Sequence, residues 1–121
     1  MTKEELKHRT KQFALDVFKF LMKIEKSKAV DVVSYQLFKS SSSVAANYRA
    51  VCRGKSSADF LNKLKIVDEE ADESLFWLEF IKGLEIDYDK KKKKKLIKEA
   101  DELVAIFSAG IKTIKAKNNI K

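Results

Sequence analysis

The sequence predicts an all-α protein folded as an up-down-up-down antiparallel four-helix bundle. The 121-residue chain has no proline and three glycines, whereas a β-rich fold of this size would need many turns built from these residues. Apolar residues recur at three- and four-residue steps along four long segments. Short connections between the segments place consecutive helices antiparallel, within a single domain of residues 1–121.

The first helix is predicted from about residue 3 to residue 26 and carries apolar residues on two faces. One face has Phe13, Val17, Phe20 and Ile24, and the other has Leu15, Phe18 and Met22. A bundle core covers one face of a helix, so a second apolar face predicts a homo-oligomer. The alternative is that both faces belong to one wide core.

The second helix is predicted over residues 30–53, although four consecutive serines occupy residues 40–43. Serine is a poor former of helix interiors, but the apolar period continues through the serines and favours an unbroken helix. Gly54 then ends the helix as its C′ residue. Ser56 and Asp59 resemble a capping box that begins the third helix.

The third helix is predicted over residues 57–82 and also has a second apolar set. That set comprises Ile66, Trp77, Phe80 and Leu84, with Gly83 closing the helix. The fourth helix is predicted over residues 89–117, where Gly110 permits close contact with a neighbouring helix. The unpaired apolar set on the third helix strengthens the prediction of self-association.

The chain is strongly basic, with 26 Lys and Arg against 18 Asp and Glu and a formal charge of +8. Such a charge favours binding to RNA or DNA, or it describes a bundle with solvated, lysine-rich surfaces. Up-down topology brings a six-lysine run to the same end as Lys23, Lys26, Lys28 and Lys82. The candidate nucleic-acid-binding residues are Lys90, Lys91, Lys92, Lys93, Lys94 and Lys95 at this end and Arg49, Arg53 and Lys55 at the other.

A polar cluster near the end of the second helix predicts a network between helices or between subunits. Its members are Asn47, Tyr48 and Arg49, facing Asn62 and Lys63, together with Glu69 and Glu73 on the third helix. Arg49, Arg53 and Tyr48 are also suited to contacting phosphates and stacking on bases. The sequence alone leaves both interpretations open.

No catalytic, cofactor or metal site is expected, and the chain is predicted not to be an enzyme. The acidic run of residues 68–73 points in several directions along a helix, which favours ion pairing with Lys65, Arg49 or Arg53 over metal binding. His8 is the only histidine, and one Glu-x-x-His spacing is insufficient for a di-iron bundle. The lone Cys52 fits a buried thiol in a reducing compartment.

The chain is predicted to be cytoplasmic, with no membrane partner. It contains no apolar run of about 18 residues, and its N-terminal segment is charged and lacks the apolar core of a signal peptide.

The segment SSSSVAANYRAVCRGKSSADFLNKLKIVDEEADESLFWLEF resembles bacterial four-helix-bundle proteins first noticed as reading frames within 23S rRNA intervening sequences. The most specific matches are residues 43–49, Arg53, Ser56, residues 59–60, residues 69–73 and residues 77–79. The resemblance implies a homopentamer with a central channel. It also implies kinship with the accessory protein of diversity-generating retroelements, a basic pentameric barrel that binds nucleic acid and its reverse transcriptase. It implies no catalytic residues, and the lysine run is not part of the pattern.

Three hypotheses follow for the function. The first is a non-enzymatic homo-oligomer, pentameric by the resemblance, that binds RNA or DNA through basic surfaces. The second is an adaptor that binds a partner protein and has no nucleic-acid role. The third is a metal-dependent enzyme that uses the carboxylates of the third helix.

Overall fold

The protein is an all-α bundle of four long helices, as the sequence predicts. The computed structural model describes residues 1–118, so the end of the predicted domain at residues 119–121 lies outside the described part. The helices are α1 (Lys3–Met22), α2 (Lys28–Val51), α3 (Ser57–Ile81) and α4 (Lys90–Lys117), with a 3₁₀ turn at Lys82–Leu84. Each helix packs on its neighbours in chain order, and α1 also packs on α4, which closes the bundle.

A side-chain cap begins each of the four α-helices. The hydroxyls of Thr2, Ser27 and Ser56 each accept a hydrogen bond from the backbone N–H three residues later, at 3.1 Å. The carboxylate of Asp89 accepts the equivalent bond from the Lys92 N–H at 2.9 Å. These bonds satisfy backbone donors that a helix start leaves unpaired, and they explain why the helices begin where they do.

The first predicted helix was too long, because α1 ends at Met22 and not near residue 26. Ser27 caps α2, so α2 begins at Lys28, and residues 23–27 form the connection. Ile24 nevertheless remains buried, although it lies beyond the helix. The apolar period therefore identified a core position correctly while overestimating the helix that carries it.

The four serines of residues 40–43 lie inside α2, which confirms the unbroken helix. The hydroxyls of Ser40, Ser41 and Ser42 each donate to the carbonyl three residues earlier, at 3.0–3.2 Å. Their hydrogen-bonding capacity is thus satisfied within the helix. The Ser74 hydroxyl donates to Ser40 Oγ at 3.0 Å, so the small side chains also let α2 and α3 approach closely.

Two glycine predictions differ from the structure in their physical reason. Gly54 does not adopt positive φ, so it is not the predicted left-handed C′ residue. Gly83 was predicted to close the third helix, but α3 ends at Ile81 and Gly83 lies within the 3₁₀ turn, after which Glu85 adopts φ 53°. A Cβ on Gly54 would lie 3.1 Å from the Val51 carbonyl oxygen, so this glycine provides space. A Cβ on Gly110 would lie 3.4 Å from Leu64, consistent with the predicted close contact.

The core follows the predicted inward stripes. Its most deeply buried side chains include Phe13, Val17, Phe20, Leu37, Val44, Val67, Leu78, Leu103 and Phe107. None of the helices within residues 1–118 is both long and apolar enough to cross a bilayer.

Candidate nucleic-acid interface

The six-lysine run occupies the first turns of α4, directly after the Asp89 cap. Cations near a helix N-terminus are opposed by the macrodipole, and the Asp89 carboxylate lies where it offsets that cost. The run is therefore held in a regular helix, so its side chains radiate in fixed directions about every 100°.

Helical geometry divides the run into two groups. Lys90, Lys91, Lys94 and Lys95 are exposed. Lys92 Nζ lies 3.8 Å from Asp16 Oδ1 on α1. Lys93 is only 8% exposed, and its Nζ lies 5.0 Å from the centre of the Tyr88 ring. The prediction that all six lysines are binding residues therefore needs correction at Lys93, which packs against the protein itself.

The exposed lysines of α4 share their end of the bundle with lysines near the α1–α2 connection and in the 3₁₀ turn after α3. Lys23, Lys26, Lys28 and Lys82 are all exposed there, as the topology predicted. Carboxylates lie at the same end, but between residues 82 and 95 there are seven lysines against three acidic residues. We call residues 82–95 and 23–28 together the basic end.

The opposite end of the bundle carries a smaller set of cations. Arg49, Arg53 and Lys55 are exposed and form no ion pair with any of residues 1–118. Lys112 and Lys117 of α4 are exposed at the same end. These cations are spread over three elements and do not form a continuous run like that of α4.

The polar network predicted around Asn47 and Tyr48 does not form between helices of this chain. The Asn47 amide donates to the Ser43 carbonyl at 2.9 Å and to Ser43 Oγ at 2.7 Å, both within α2. The Tyr48 ring is buried 5.8 Å from that of Phe107, so it cannot stack on a base. Burial, with a contribution from Cys52, raises the pKa of the Tyr48 hydroxyl.

The facing residues also have other partners. Lys63 Nζ pairs with Asp59 at 3.2 Å, one turn earlier on α3, and not with α2. Glu69 and Glu73 are exposed and make no ion pair within the described chain, as is also true of Arg49. The inter-subunit form of the network remains a prediction for Arg49, Glu69 and Glu73.

The acidic run of α3 does not form the predicted ion pairs with Lys65, Arg49 or Arg53. Asp68 instead accepts a hydrogen bond from Ser108 Oγ of α4 at 3.2 Å. Burial raises the pKa of Asp68 and of Glu70, with repulsion from neighbouring carboxylates adding to both shifts. In residues 1–118, no group of three or more His, Cys, Asp or Glu side chains is arranged to hold a metal ion.

An ion-pair cluster between α1 and α4 was missed by sequence reasoning. The Arg9 guanidinium donates from Nε to Glu99 Oε2 at 2.7 Å and from Nη2 to Glu99 Oε1 at 2.6 Å. Arg9 Nη2 also lies 3.3 Å from Glu102. The hydrogen bonds to Glu99 raise the pKa of Arg9 above its usual value, against the effect of burial. No local pattern marks this cluster, because its partners are 90 residues apart.

Large apolar side chains remain exposed on two surfaces. The first, between α1 and α2, is a groove lined mainly by Phe18, Leu21, Met22, Val30, Tyr35 and Phe38; we call it the α1/α2 groove. The second is formed by Phe76, Trp77 and Phe80 on the outside of α3, and we call it the α3 ridge. The apolar patterns had indicated Phe18, Met22, Trp77 and Phe80, but not Tyr35, Phe38 or Phe76.

Comparison with known proteins relates nearly the whole chain to one family. Residues 3–109 match the model of the family described as 23S rRNA-intervening sequence protein. The fold is similar to a crystal structure from Bacteroides thetaiotaomicron VPI-5482, described as a protein with unknown function from the S23 ribosomal protein family. That structure matches with a TM-score of 0.80 and 27% identity, covering 93% of this chain and 99% of the other. No curated protein matches.

Proposed function

We propose that this chain, which belongs to the family of 23S rRNA-intervening sequence proteins, is a non-enzymatic homo-oligomer that binds RNA or DNA through its basic end. The observation that carries the proposal is the exposure of Lys90, Lys91, Lys94 and Lys95 in the first turns of α4. None of these four forms an ion pair within residues 1–118. Free ammonium groups at fixed helical positions are suited to phosphate oxygens and release counterions on binding.

The oligomeric part of the proposal is supported by the exposed apolar side chains. A monomer that left both the α1/α2 groove and the α3 ridge in water would expose more aromatic surface than scattered surface residues explain. The family resemblance favours five copies. Cyclic assembly would repeat the basic end around an axis, and several weak phosphate contacts would then act together.

The experiment is a titration of structured RNA and duplex DNA across a salt series, with mass read by light scattering in the same samples. We expect an oligomer whose log affinity falls linearly with log salt. The triple variant Lys90→Gln, Lys91→Gln, Lys94→Gln should lower affinity at physiological salt. It should also reduce the salt slope by about one for each lysine that contacts a phosphate.

The matched control removes the same number of charges from the opposite end, as Arg53→Gln, Lys55→Gln, Lys117→Gln. Retained affinity in this control and loss in the α4 variant would support the basic end as the site. Equal loss in both variants would overturn it in favour of net charge alone. Loss in the control only would move the site to Arg53 and Lys55. An oligomer without binding at physiological salt would reject the nucleic-acid function.

The alternative function is an adaptor that binds a partner protein and no nucleic acid. The exposed aromatic rings of the α1/α2 groove and the α3 ridge favour it, provided that they stay exposed after self-association. Pull-downs from nuclease-treated lysate should then recover a stoichiometric protein partner. Recovery that is unchanged when Tyr35 and Phe76 are replaced by Asp would count against these surfaces.

A further inference from the structure

We infer that the α3 ridge of one copy docks into the α1/α2 groove of a second copy, head to tail and with the two bundle axes parallel. The inference rests on the homo-oligomeric part of the function proposed above and is independent of nucleic-acid binding. It identifies which surfaces of the chain meet, and it follows from their polarity, charge and height along the bundle.

The α1/α2 groove is an apolar surface that residues 1–118 leave uncovered. The Phe18 and Phe38 rings lie 5.2 Å apart and form its floor. Met22 and Tyr35 stand at its sides, 70% and 63% exposed. Aromatic and methionine side chains left in water at this density are typical of the centre of a protein interface.

The α3 ridge is an apolar projection on a different side of the bundle. The Phe76 and Trp77 rings lie 4.9 Å apart, and those of Trp77 and Phe80 lie 5.3 Å apart. Phe76 is 52% exposed, while Trp77 packs against the core and supports it. A row of supported rings on a helix is suited to filling an apolar groove between two helices.

The charges beside the two surfaces are opposite in sign. The groove itself is lined by one cation and one carboxylate, Lys26 and Asp31, and exposed cations lie on the same α1/α2 side at Lys11 and Arg49, nearer the end opposite the basic end. Exposed carboxylates flank the α3 ridge at Glu69, Asp72, Glu73 and Glu79. Neither Lys11 and Arg49 nor these four carboxylates form an ion pair with a residue of the described chain. Contact between the two surfaces would pair them, and such complementarity selects the partner surface.

The two surfaces also match in height along the bundle. Ser40 contacts Ser74 across antiparallel helices, so Phe38, two residues before Ser40, and Phe76, two residues after Ser74, lie at about the same level. Phe18 contacts Phe38 and so shares that level. With parallel axes, Phe76 of one copy therefore meets the Phe18–Phe38 floor of the next.

The same alignment brings opposite charges together below the rings. Lys11 precedes Phe18 by seven residues and Glu69 precedes Phe76 by seven residues, on helices that run in the same direction. At 1.5 Å per residue, both charged groups lie about 10 Å from the level of the aromatic rings, toward the end opposite the basic end. One rigid placement of two copies thus satisfies the apolar and the charged contacts simultaneously.

A head-to-tail contact is favoured over a two-fold symmetric one. With parallel axes, joining groove to groove would bring Lys11 and Arg49 close to their own copies, and joining ridge to ridge would do the same for Glu73 and Glu79. Like charges at such contacts oppose association. Joining groove to ridge uses two different surfaces of each copy, so the contact repeats and closes into a ring when the rotation permits.

The experiment uses two variants that each disable one surface at exposed positions, Met22→Asp with Tyr35→Asp in the groove and Phe76→Asp with Phe80→Asp in the ridge. Light scattering should give the mass of one chain for each variant alone. An equimolar mixture should give the mass of two chains, because the intact ridge of the groove variant can bind the intact groove of the ridge variant. The groove and the ridge that stay unoccupied in this dimer are the mutated ones, so the dimer cannot bind a further copy.

The matched control is Ala105→Asp with Ala109→Asp, at exposed positions of α4, the helix that packs on α1 and α3. It should keep the wild-type mass, and circular dichroism should show that all three variants retain their helices. An oligomeric single-surface variant would overturn the inference, as would two folded monomers that fail to dimerise on mixing. A monomeric wild-type chain would also overturn it and leave the groove to a different protein. Each of these outcomes leaves the lysine titration of the basic end unaffected.

Discussion

The seam between α1 and α2 differs from the other three seams of the bundle. Arg9 joins α1 to α4, Ser40 and Ser74 join α2 to α3, and Asp68 and Ser108 join α3 to α4. In residues 1–118, no side-chain hydrogen bond or ion pair joins α1 to α2. The half of this seam nearer the basic end instead contains the contact between the Phe18 and Phe38 rings. Three seams are thus completed by polar contacts within the chain, whereas the fourth has apolar surface left over. The difference indicates which seam a second copy would cover.

The strongest test of this contrast compares two phenylalanines of α1. Phe20 is 2% exposed and Phe18 is 38% exposed. Phe20→Ala should lower the free energy of unfolding by about 3–5 kcal/mol, because it leaves a cavity in the core. Phe18→Ala should lower it by about 1 kcal/mol in urea titrations at low protein concentration. Equal losses would mean that Phe18 belongs to the core and that the α1/α2 seam is already complete.

The polar seam between α1 and α4 should be broken by Arg9→Ala. We expect a loss of about 1–2 kcal/mol, since hydrogen bonds to charged groups are lost at a partly exposed site. A double-mutant cycle with Glu99→Ala measures the coupling, and the exposed Lys7–Glu4 pair provides the matched control. Coupling for Arg9–Glu99 no larger than for Lys7–Glu4 would show that this seam is not held by its ion pair.

The seam between α2 and α3 should respond less strongly. Ser74→Ala removes the bond to Ser40 and the 2.9 Å contact of the same hydroxyl with the Glu70 carbonyl of its own helix, and it should cost about 0.5–1.5 kcal/mol in thermal or urea unfolding, because the hydroxyl pair is buried. Ser42→Ala removes a bond only to the Lys39 carbonyl of its own helix and should be neutral or slightly stabilising. The opposite ranking would make the close approach of the helices, and not the hydrogen bond, the source of stability.

The smallest effect is expected at the seam between α3 and α4. Burial raises the pKa of Asp68, so the folded state binds protons more tightly there than the unfolded state. This carboxyl group therefore lowers the free energy of unfolding as the pH rises above its pKa in the unfolded state, which is about 3.9. Asp68→Asn should raise the Tm at neutral pH, with a gain of less than about 1 kcal/mol in the free energy of unfolding. In acid, where Asp68 is protonated in both states, the variant and the wild type should be equally stable. Destabilisation at neutral pH would show that the Ser108 bond needs the charged acceptor.

Much of the fold was predictable because the signals are local. The three- and four-residue apolar period identified four helices, and it continued correctly through the serines of residues 40–43. Ser56 was identified as a cap from its spacing to Asp59. Ser27 caps α2 in the same way, but its spacing was not recognised, so the start of the second helix was predicted at residue 30 instead of Lys28. Asp89 caps α4 at the predicted start of the fourth helix.

The candidate site was less predictable. The lysine run is plain in the sequence, and its position at the start of a helix followed from topology. The division of the run into exposed and packed lysines was not predictable, since Lys93 is buried by Tyr88 and by the packing of the helix that carries it. The network around Asn47 was misjudged because Ser43, one turn away on α2, provides a nearer acceptor than any residue of α3.

The sequence by itself determined the helical fold, the inward stripes and the excess of positive charge, since each depends on residues close together in the chain or on composition. Only the tertiary structure decided which seams are closed by polar contacts and which apolar side chains stay exposed. Arg9 and Glu99 meet because the first and last helices pack together, and Phe76 stays in water because none of the helices within residues 1–118 covers that side of α3. Such pairings depend on the arrangement of distant segments, which local periodicity does not encode.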